Sequence, residues 1–390
     1  APAMKTYKYR IYPTKAQEAI LEKQLEESRW LYNKILETRK NAWENEGISL
    51  GNYDTMVMIP SWKKERSSLK IVHSQVLQNV NVRVDLAFQA FFRRVKAGED
   101  PGYPRIKGYG RYDSMTFPQY GNGVRLDGDT LILSKIGNVK VKLHRELCGT
   151  PKTVCIRRSA TGKWFVAFSC ECESQPLFKS FKFAGVDVGL QTFVTLSNGK
   201  KIANPRFFKR EQDALAKAQH KMSKFAKGTP DRAKARKVVS RIHERIANKR
   251  TDFAHQESRK LVNTYGVLVF EKLAVVDMMS NHRQVFGNKL NKSIADVAWS
   301  QLAQFTAYKA ADAGRLFLQV DPRNTSKKCS RCQSIVPKDL SVRIHDCPHC
   351  GLMLDRDHNA AINILALGLQ SVNASLLDEV VEAPAFRHGE

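Results

Sequence analysis

Phe183-Ala-Gly-Val-Asp-Val-Gly-Leu190 is a short apolar run with one carboxylate, Asp187, at its centre. Val and Phe favour a buried strand, and the glycines admit a close approach of other backbone. An Asp buried there without a partner is costly. Hard cations such as Mg²⁺ are held by carboxylate oxygens, so a metal is a natural partner. An Asp that caps a turn at a strand end is the plain alternative, and Gly-x-Asp-x-Gly alone does not separate the two.

Two later stretches do. Val267-Leu-Val-Phe-Glu-Lys-Leu273 reads as a second buried strand ending in a carboxylate, Glu271. Asp355-Arg-Asp357-His-Asn359 opens a helix that runs through Ala360–Leu367, with Gly368 as its stop. The helix dipole holds carboxylates ionised at such a start. One of the two Asp residues can be the cap, and the residues alone leave that choice open. Between these stretches, Gln191–Leu196 and Lys200–Ile202 complete a three-strand meander. A helical region follows, and beyond Glu271 the stretch from Asp277 to Asn291 reads as loop. Ser293 with Asp296 then caps a helix to Ala313, and Leu316–Val320 is a further strand. This element order is that of an RNase H-like fold, in which the first and fourth strands lie side by side and the last helix packs across them. One acid from each element would converge on two Mg²⁺ ions, one activating water and the other stabilising the leaving 3′ oxygen of a phosphodiester.

Before the last helix stand Cys329-x-x-Cys332 and Cys347-x-x-Cys350, with fourteen residues between the pairs. Paired knuckles at about this spacing supply four thiolates to one tetrahedral, structural zinc. His345 and His349 read as bystanders, because four sulfurs fill the shell. Cys148, Cys155, Cys170 and Cys172 lack ligand spacing and read as core thiols.

The chain carries 64 Lys and Arg against 38 Asp and Glu, a formal charge of +26, which implies a polyanionic partner, most simply nucleic acid. Between residues 201 and 262 there are 18 basic and 6 acidic residues. Gly228-Thr-Pro230 divides this stretch into a helical hairpin, 203–262, whose Lys217, Lys221, Lys224, Arg241, Arg245 and Arg250 are candidate phosphate contacts. Towards the N-terminus, Tyr7–Tyr12 reads as a strand. Thr14 with Gln17 forms a capping box, and long helices follow, the second over Val76–Val95. From 112 to 178 short strands separated by turn residues suggest a small barrel, which Tyr7–Tyr12 would complete. There is no apolar run of about 18 residues or more, so no transmembrane helix is expected.

At these residues the chain resembles the TnpB family of transposon-encoded, RNA-guided nucleases, relatives of the type V CRISPR effectors. The resemblance runs from Met4 to about Leu367. It rests on Gly102-Tyr-Pro-Arg105, Gly185-Val-Asp-Val-Gly189, Phe270-Glu-Lys-Leu273, Thr325-Ser with the two Cys pairs, and Asp355-Arg-Asp-His-Asn-Ala-Ala361. It implies a multidomain α+β protein. Residues 1–13 and 109–180 would be a small β-barrel wedge domain, and 14–108 a helical recognition domain. Residues 181–322 and 354–372 would be the RNase H-like (RuvC) catalytic domain, with 323–353 as its zinc-ribbon insertion and 373–390 as a disordered tail. The resemblance also implies Asp187, Glu271 and Asp357 as catalytic acids and magnesium ligands, which leaves Asp355 as neighbour or cap.

The implied activity is RNA-guided cleavage of DNA beside a short flanking motif, with two catalytic Mg²⁺ and one structural Zn²⁺. The implied partners are a guide RNA derived from the transposon end and double-stranded target DNA, with the protein a monomer on its RNA. No membrane association is expected, and the location is cytoplasmic, in the bacterial cytosol or nucleoid. The rival readings are a transposase that binds DNA directly and a nuclease-inactive RNA-guided repressor. The first needs a sequence-reading element such as a helix-turn-helix, and none is obvious; the intact acids speak against the second.

Overall fold

The computed structural model describes residues 2–272, 288–321, 323–339, 341–373 and 376–377. Most of the expected tail, and most of the loop expected over 277–291, lie outside them. The chain divides into two compact units, Ala1–Glu173 and Ser174–Glu390.

In the first unit, β1 (Ala3–Tyr12) ends at Pro13, and α1 (Lys15–Glu46) opens on the expected capping box: Thr14 accepts from the Gln17 N–H and Gln17 from the Thr14 N–H. Gly47, at φ 66°, closes α1 in the left-handed conformation. α2 (Asn52–Met56), α3 (Ile59–Glu65) and α4 (Ser74–Lys96) complete the helical segment. Six strands follow: β2 (Ser114–Phe117), β3 (Val124–Asp127), β4 (Thr130–Leu133), β5 (Gly137–Lys142), β6 (Thr150–Arg158) and β7 (Trp164–Cys172).

Their order is β2-β6-β7-β1-β5-β4-β3, a nearly closed barrel sheet. The N-terminal strand therefore sits between β7 and β5, and the helices are inserted into a sheet that the chain starts and later finishes. One continuous core joins Leu21, Leu25 and Ile35 of α1 and Val80 and Val84 of α4 to Val139, Trp164 and Phe168 of the barrel. Cys170 and Cys172 are buried in it, whereas Cys148 and Cys155 are only half-buried. Of the aromatic residues of α4, Phe88 is buried but Phe92 is 53 % exposed.

The second unit holds β8 (Phe183–Val188), β9 (Thr192–Leu196), β10 (Lys201–Ala203), α5 (Arg206–Ser223), α6 (Pro230–Thr264), β11 (Val267–Glu271), α7 (Asn288–Ala313), β12 (Leu316–Val320), β13 (Ile344–Asp346), β14 (Met353–Asp355) and α8 (Arg356–Gln370). α7 begins at Asn288, ahead of the expected start at Ser293, so the Ser293 capping box is not a helix start. The main sheet has the order β10-β9-β8-β11-β12. β8, β11 and β12 are parallel, and β9 runs antiparallel to both of its neighbours, β8 and β10. The first and fourth strands of the unit are thus neighbours, as the RNase H-like order requires. Among the described residues no helix is long and apolar enough to cross a membrane.

Strand alternation decides which side chains meet α8. Val267 and Val269 of β11 pack with Ile364 and Leu365 of α8, while Ala184, Val186, Leu268 and Phe270 pack with residues of α6 and α7 on the other face. Gly185 lies on the α8 face. A Cβ there would stand 2.2 Å from the Ala361 carbonyl oxygen, and one on Gly368 would stand 2.5 Å from the Val269 methyls. Glycine at both places lets α8 lie on the strands. Gly185→Ala should therefore destabilise the second unit by about 1–3 kcal/mol through overpacking. Chemical denaturation should register this loss, and a midpoint equal to wild type would mean that α8 does not depend on this approach.

Candidate functional site

The α8 face carries the acids. Asp187 follows Gly185 by two residues. Glu271 follows Val269, which pairs with Gly185, so Glu271 is the next same-face residue beside Asp187. Across the sheet Asp187 pairs with Thr195, and Thr195 with Lys201. One row of the sheet thus reads Lys201, Thr195, Asp187, Glu271.

Asp187 and Glu271 are hydrogen-bonded to each other, and the Asp187 carboxyl is pushed up to about 9. Burial is the main cause, followed by the charge of Glu271; Asp357 adds to it and Arg356 opposes it. Burial also raises Glu271, against hydrogen bonds from Asp187 and the Val188 N–H. Two carboxyls in contact with a depressed tendency to ionise are a donor set that a hard cation would satisfy.

Asp357 lies in the first turn of α8. It is within electrostatic reach of Asp187, but its Oδ2 accepts from Arg343 Nη2 at 2.6 Å. Asp355 has a separate role. It caps α8, accepting from the N–H groups of Asp357 and His358 at 2.9 and 3.2 Å, and pairs with Lys201 Nζ at 3.3 Å. The structure thus brings Asp187 and Glu271 into contact and leaves Asp357 close by, held by an arginine.

The four ribbon cysteines gather as expected, with all their sulfurs within 4.8 Å of one another. Cys329 and Cys350 are 3.6 Å apart, and Cys332 and Cys347 3.5 Å. A tetrahedron with Zn–S bonds of about 2.3 Å has edges of about 3.8 Å, so the set fits one zinc. The two knuckles match. Gln333 N–H donates to the Cys329 carbonyl and Gly351 N–H to the Cys347 carbonyl, and Gln333 and Gly351 are both left-handed, at φ 68° and 75°. His345 is buried beside this shell and His349 is exposed; neither belongs to the cluster.

Arg343 is not legible as a site residue in the sequence, because a lone Arg in a ribbon loop has no motif. The same holds for the clamp between ribbon and α8. Asn359 and Asn363, both buried, donate to the Lys328 carbonyl, and Asn363 also to that of Thr325. Asn359 Oδ1 accepts from Ser330 N–H, and Arg356 donates to the carbonyls of Asp339 and Val342. Thr195 likewise escapes sequence reasoning. Its hydroxyl is buried and has no partner among the described residues, one register position from Asp187.

The basic hairpin divides. Lys217, Lys221, Lys224 and Arg241 are exposed. Arg245 is tied to buried Glu211 at 2.7 Å, with Lys249 on the other oxygen. Arg250 is half-buried, and burial lowers its pKa.

Comparison with known proteins agrees with this architecture. A family model described as "Probable transposase" matches residues 167–282, and one described as "Cas12f1-like, TNB domain" matches 299–364. A third, described as "Helix-turn-helix domain", matches 4–47, although these residues form β1 and one unbroken helix. A solved Cas12f1–guide RNA–target DNA complex has a similar fold, with TM-score 0.54 and 12 % identity over 93 % of this chain and 98 % of that one. A Streptomyces pristinaespiralis protein named as an RNA-guided DNA endonuclease is 35 % identical over 94 % of this chain and 89 % of its own length. The Escherichia coli K12 protein InsQ, named in the same way, is 30 % identical over 94 % and 92 %. The fold is that of the RuvC-type effectors, and the chain belongs to the TnpB family of RNA-guided DNA endonucleases.

Two outcomes follow from the site. The folded protein keeps a proton on Asp187, at about 9, that the unfolded chain releases near 3.8. Without metal, stability from this group is full below pH about 4 and falls as pH rises towards about 9. At pH about 8, Asp187→Asn should therefore raise the metal-free Tm, by about 2–4 °C per kcal/mol regained in a unit of this size. A variant melting below wild type would contradict the assigned burial. Separately, elemental analysis should find about one zinc per chain, lost in Cys347→Ser together with protease resistance of the ribbon. Zinc-free protein with an intact ribbon would refute the site.

Proposed function

We propose that this chain cleaves target DNA beside a short flanking motif, with Asp187, Glu271 and Asp357 holding two Mg²⁺ ions. The observation that carries this is the row that sets Glu271 beside Asp187 on the face covered by the helix of Asp357. When bound, the ions supply an activated water and stabilise the leaving oxygen of the phosphodiester. Asp187, pushed up by burial and by Glu271 beside it, and Glu271 would hold the cations through their carboxylate oxygens, giving up any bound proton on doing so. Arg343 orients Asp357 through their ion pair. An all-carboxylate set favours magnesium over softer metals. The ribbon cysteines hold a structural zinc.

Guide pairing supplies sequence specificity, and the protein reads backbone shape and the flanking motif. Residues 1–13 and 109–180 act as wedge and 14–108 as recognition domain, with the protein a monomer on its guide. Lys217, Lys221, Lys224 and Arg241 track phosphates. Arg245 and Arg250 contribute less, one spent on Glu211 and the other half-buried.

The test is cleavage of a matched duplex by protein carrying its copurified RNA. Asp187→Ala, Glu271→Ala and Asp357→Ala should each lower the rate on the order of 10³-fold or more while RNA binding persists. Asp355→Ala should cost about 1 kcal/mol of helix stability through removal of the cap, and should keep measurable cleavage. Retained cleavage in any of the three acid variants removes that residue from the site. Cleavage or strand joining without RNA would favour the directly binding transposase.

A further inference from the structure

Residues 174–182, which lead into β8, combine a pinned backbone with bare aromatic rings. Leu177 N–H donates to the Ala313 carbonyl at 3.0 Å, Gly266 N–H to the Lys182 carbonyl at 2.8 Å, and Ser180 Oγ to the Thr264 carbonyl at 2.8 Å. Buried Arg315 donates to the carbonyls of Phe178, Val262 and Asn263. Arg315 thus ties the segment, at Phe178, to the C-terminal end of α6.

Yet Phe178 is 91 % exposed and Phe181 67 %, and no other described large hydrophobic residue is as exposed as Phe178. Lys179 and Lys182 alternate with them and are exposed too. The rings and lysines border a cleft of about 580 Å³ whose lining includes no acidic residue. A loose linker would let the rings collapse onto the nearest apolar surface; this one cannot.

Rigid aromatic faces interleaved with cations suit unpaired bases, which stack on the rings while their phosphates meet the lysines. An apolar protein partner would leave both lysines without a counter-charge, whereas a polyanion suits them and the +26 chain. β8 starts at Phe183 and delivers Asp187 four residues later, about 13 Å along the strand. The platform therefore lies at the end of β8 away from the acids.

We propose that Phe178 and Phe181 form a stacking platform for unpaired bases of the guide RNA, with Lys179 and Lys182 holding the adjoining phosphates. This rests on the RNA-guided reading above. The test uses the full chain and, as probe, the RNA that copurifies with it, sequenced and transcribed afresh. Phe178→Ala and Phe181→Ala should each weaken binding by about 5- to 150-fold, with Phe178→Trp restoring it. The salt slope should stay as in wild type for the Phe variants. It should flatten in the Lys179→Ala/Lys182→Ala variant, by roughly 0.7 for each single-stranded phosphate that the lysines no longer neutralise. Unchanged affinity in both Phe→Ala variants overturns the platform and leaves the RNA-guided reading intact. If no defined RNA copurifies with wild type, both fall.

Discussion

The second unit depends on backbone meeting backbone. α8 approaches β8 so closely that the Ala361 carbonyl occupies the place a Cβ on Gly185 would take. A second glycine, Gly368, makes the same concession to Val269 further along the helix. Side chains between two such elements would hold them about 10 Å apart. Without them, the first turn of α8 comes down beside the ends of β8 and β11. Asp357 is thereby placed within electrostatic reach of the two strand acids, although they are far from it in sequence.

That closeness creates an electrostatic problem. Three carboxylates on one covered face cannot all stay ionised without a counter-charge. Burial and the neighbouring Glu271 push the Asp187 carboxyl up, and Asp357 pairs with Arg343. Neither arrangement adds to stability in the way a filled apolar face would. Carboxyls arranged in this way are a donor set that a hard cation would neutralise.

Much of this is legible in the residues alone, for identifiable reasons. The sheet order follows from apolar runs and turn residues of ordinary lengths, and the four cysteines from a spacing with one common use. The capping box at Thr14 is legible because it is local. What escapes has no local signature. α2 and α3 are too short for a periodic stripe, and β2 is only four residues long. α7 starts earlier than its residues suggest, because Ser293 and Asp296 fit a cap pattern inside a helix that has already begun. Arg245 reads as a free cation in sequence, yet Glu211, 34 positions earlier on α5, holds it. Arg343 and Thr195 depend on register and long-range packing, which no short window contains. Residues 174–182 join the second unit for the same reason, since they are tied down by residues more than eighty positions later.

The ribbon then acquires a role that its closed shell would not suggest. Four sulfurs leave no open position for substrate, so a metal there does no chemistry. Its fold nevertheless ends in β14, whose last residue, Asp355, is the cap of α8. Asn359, Asn363 and Arg356 bind the helix to ribbon carbonyls, and Arg343 reaches from the ribbon to Asp357 itself. Strand alternation sets two of the three acids, but the third is set by a helix whose first turn is fastened to the ribbon through Arg343, Arg356 and Asn359. Loss of the ribbon's fold would therefore act on the acids by releasing Asp357, while β8 and β11 kept Asp187 and Glu271 together.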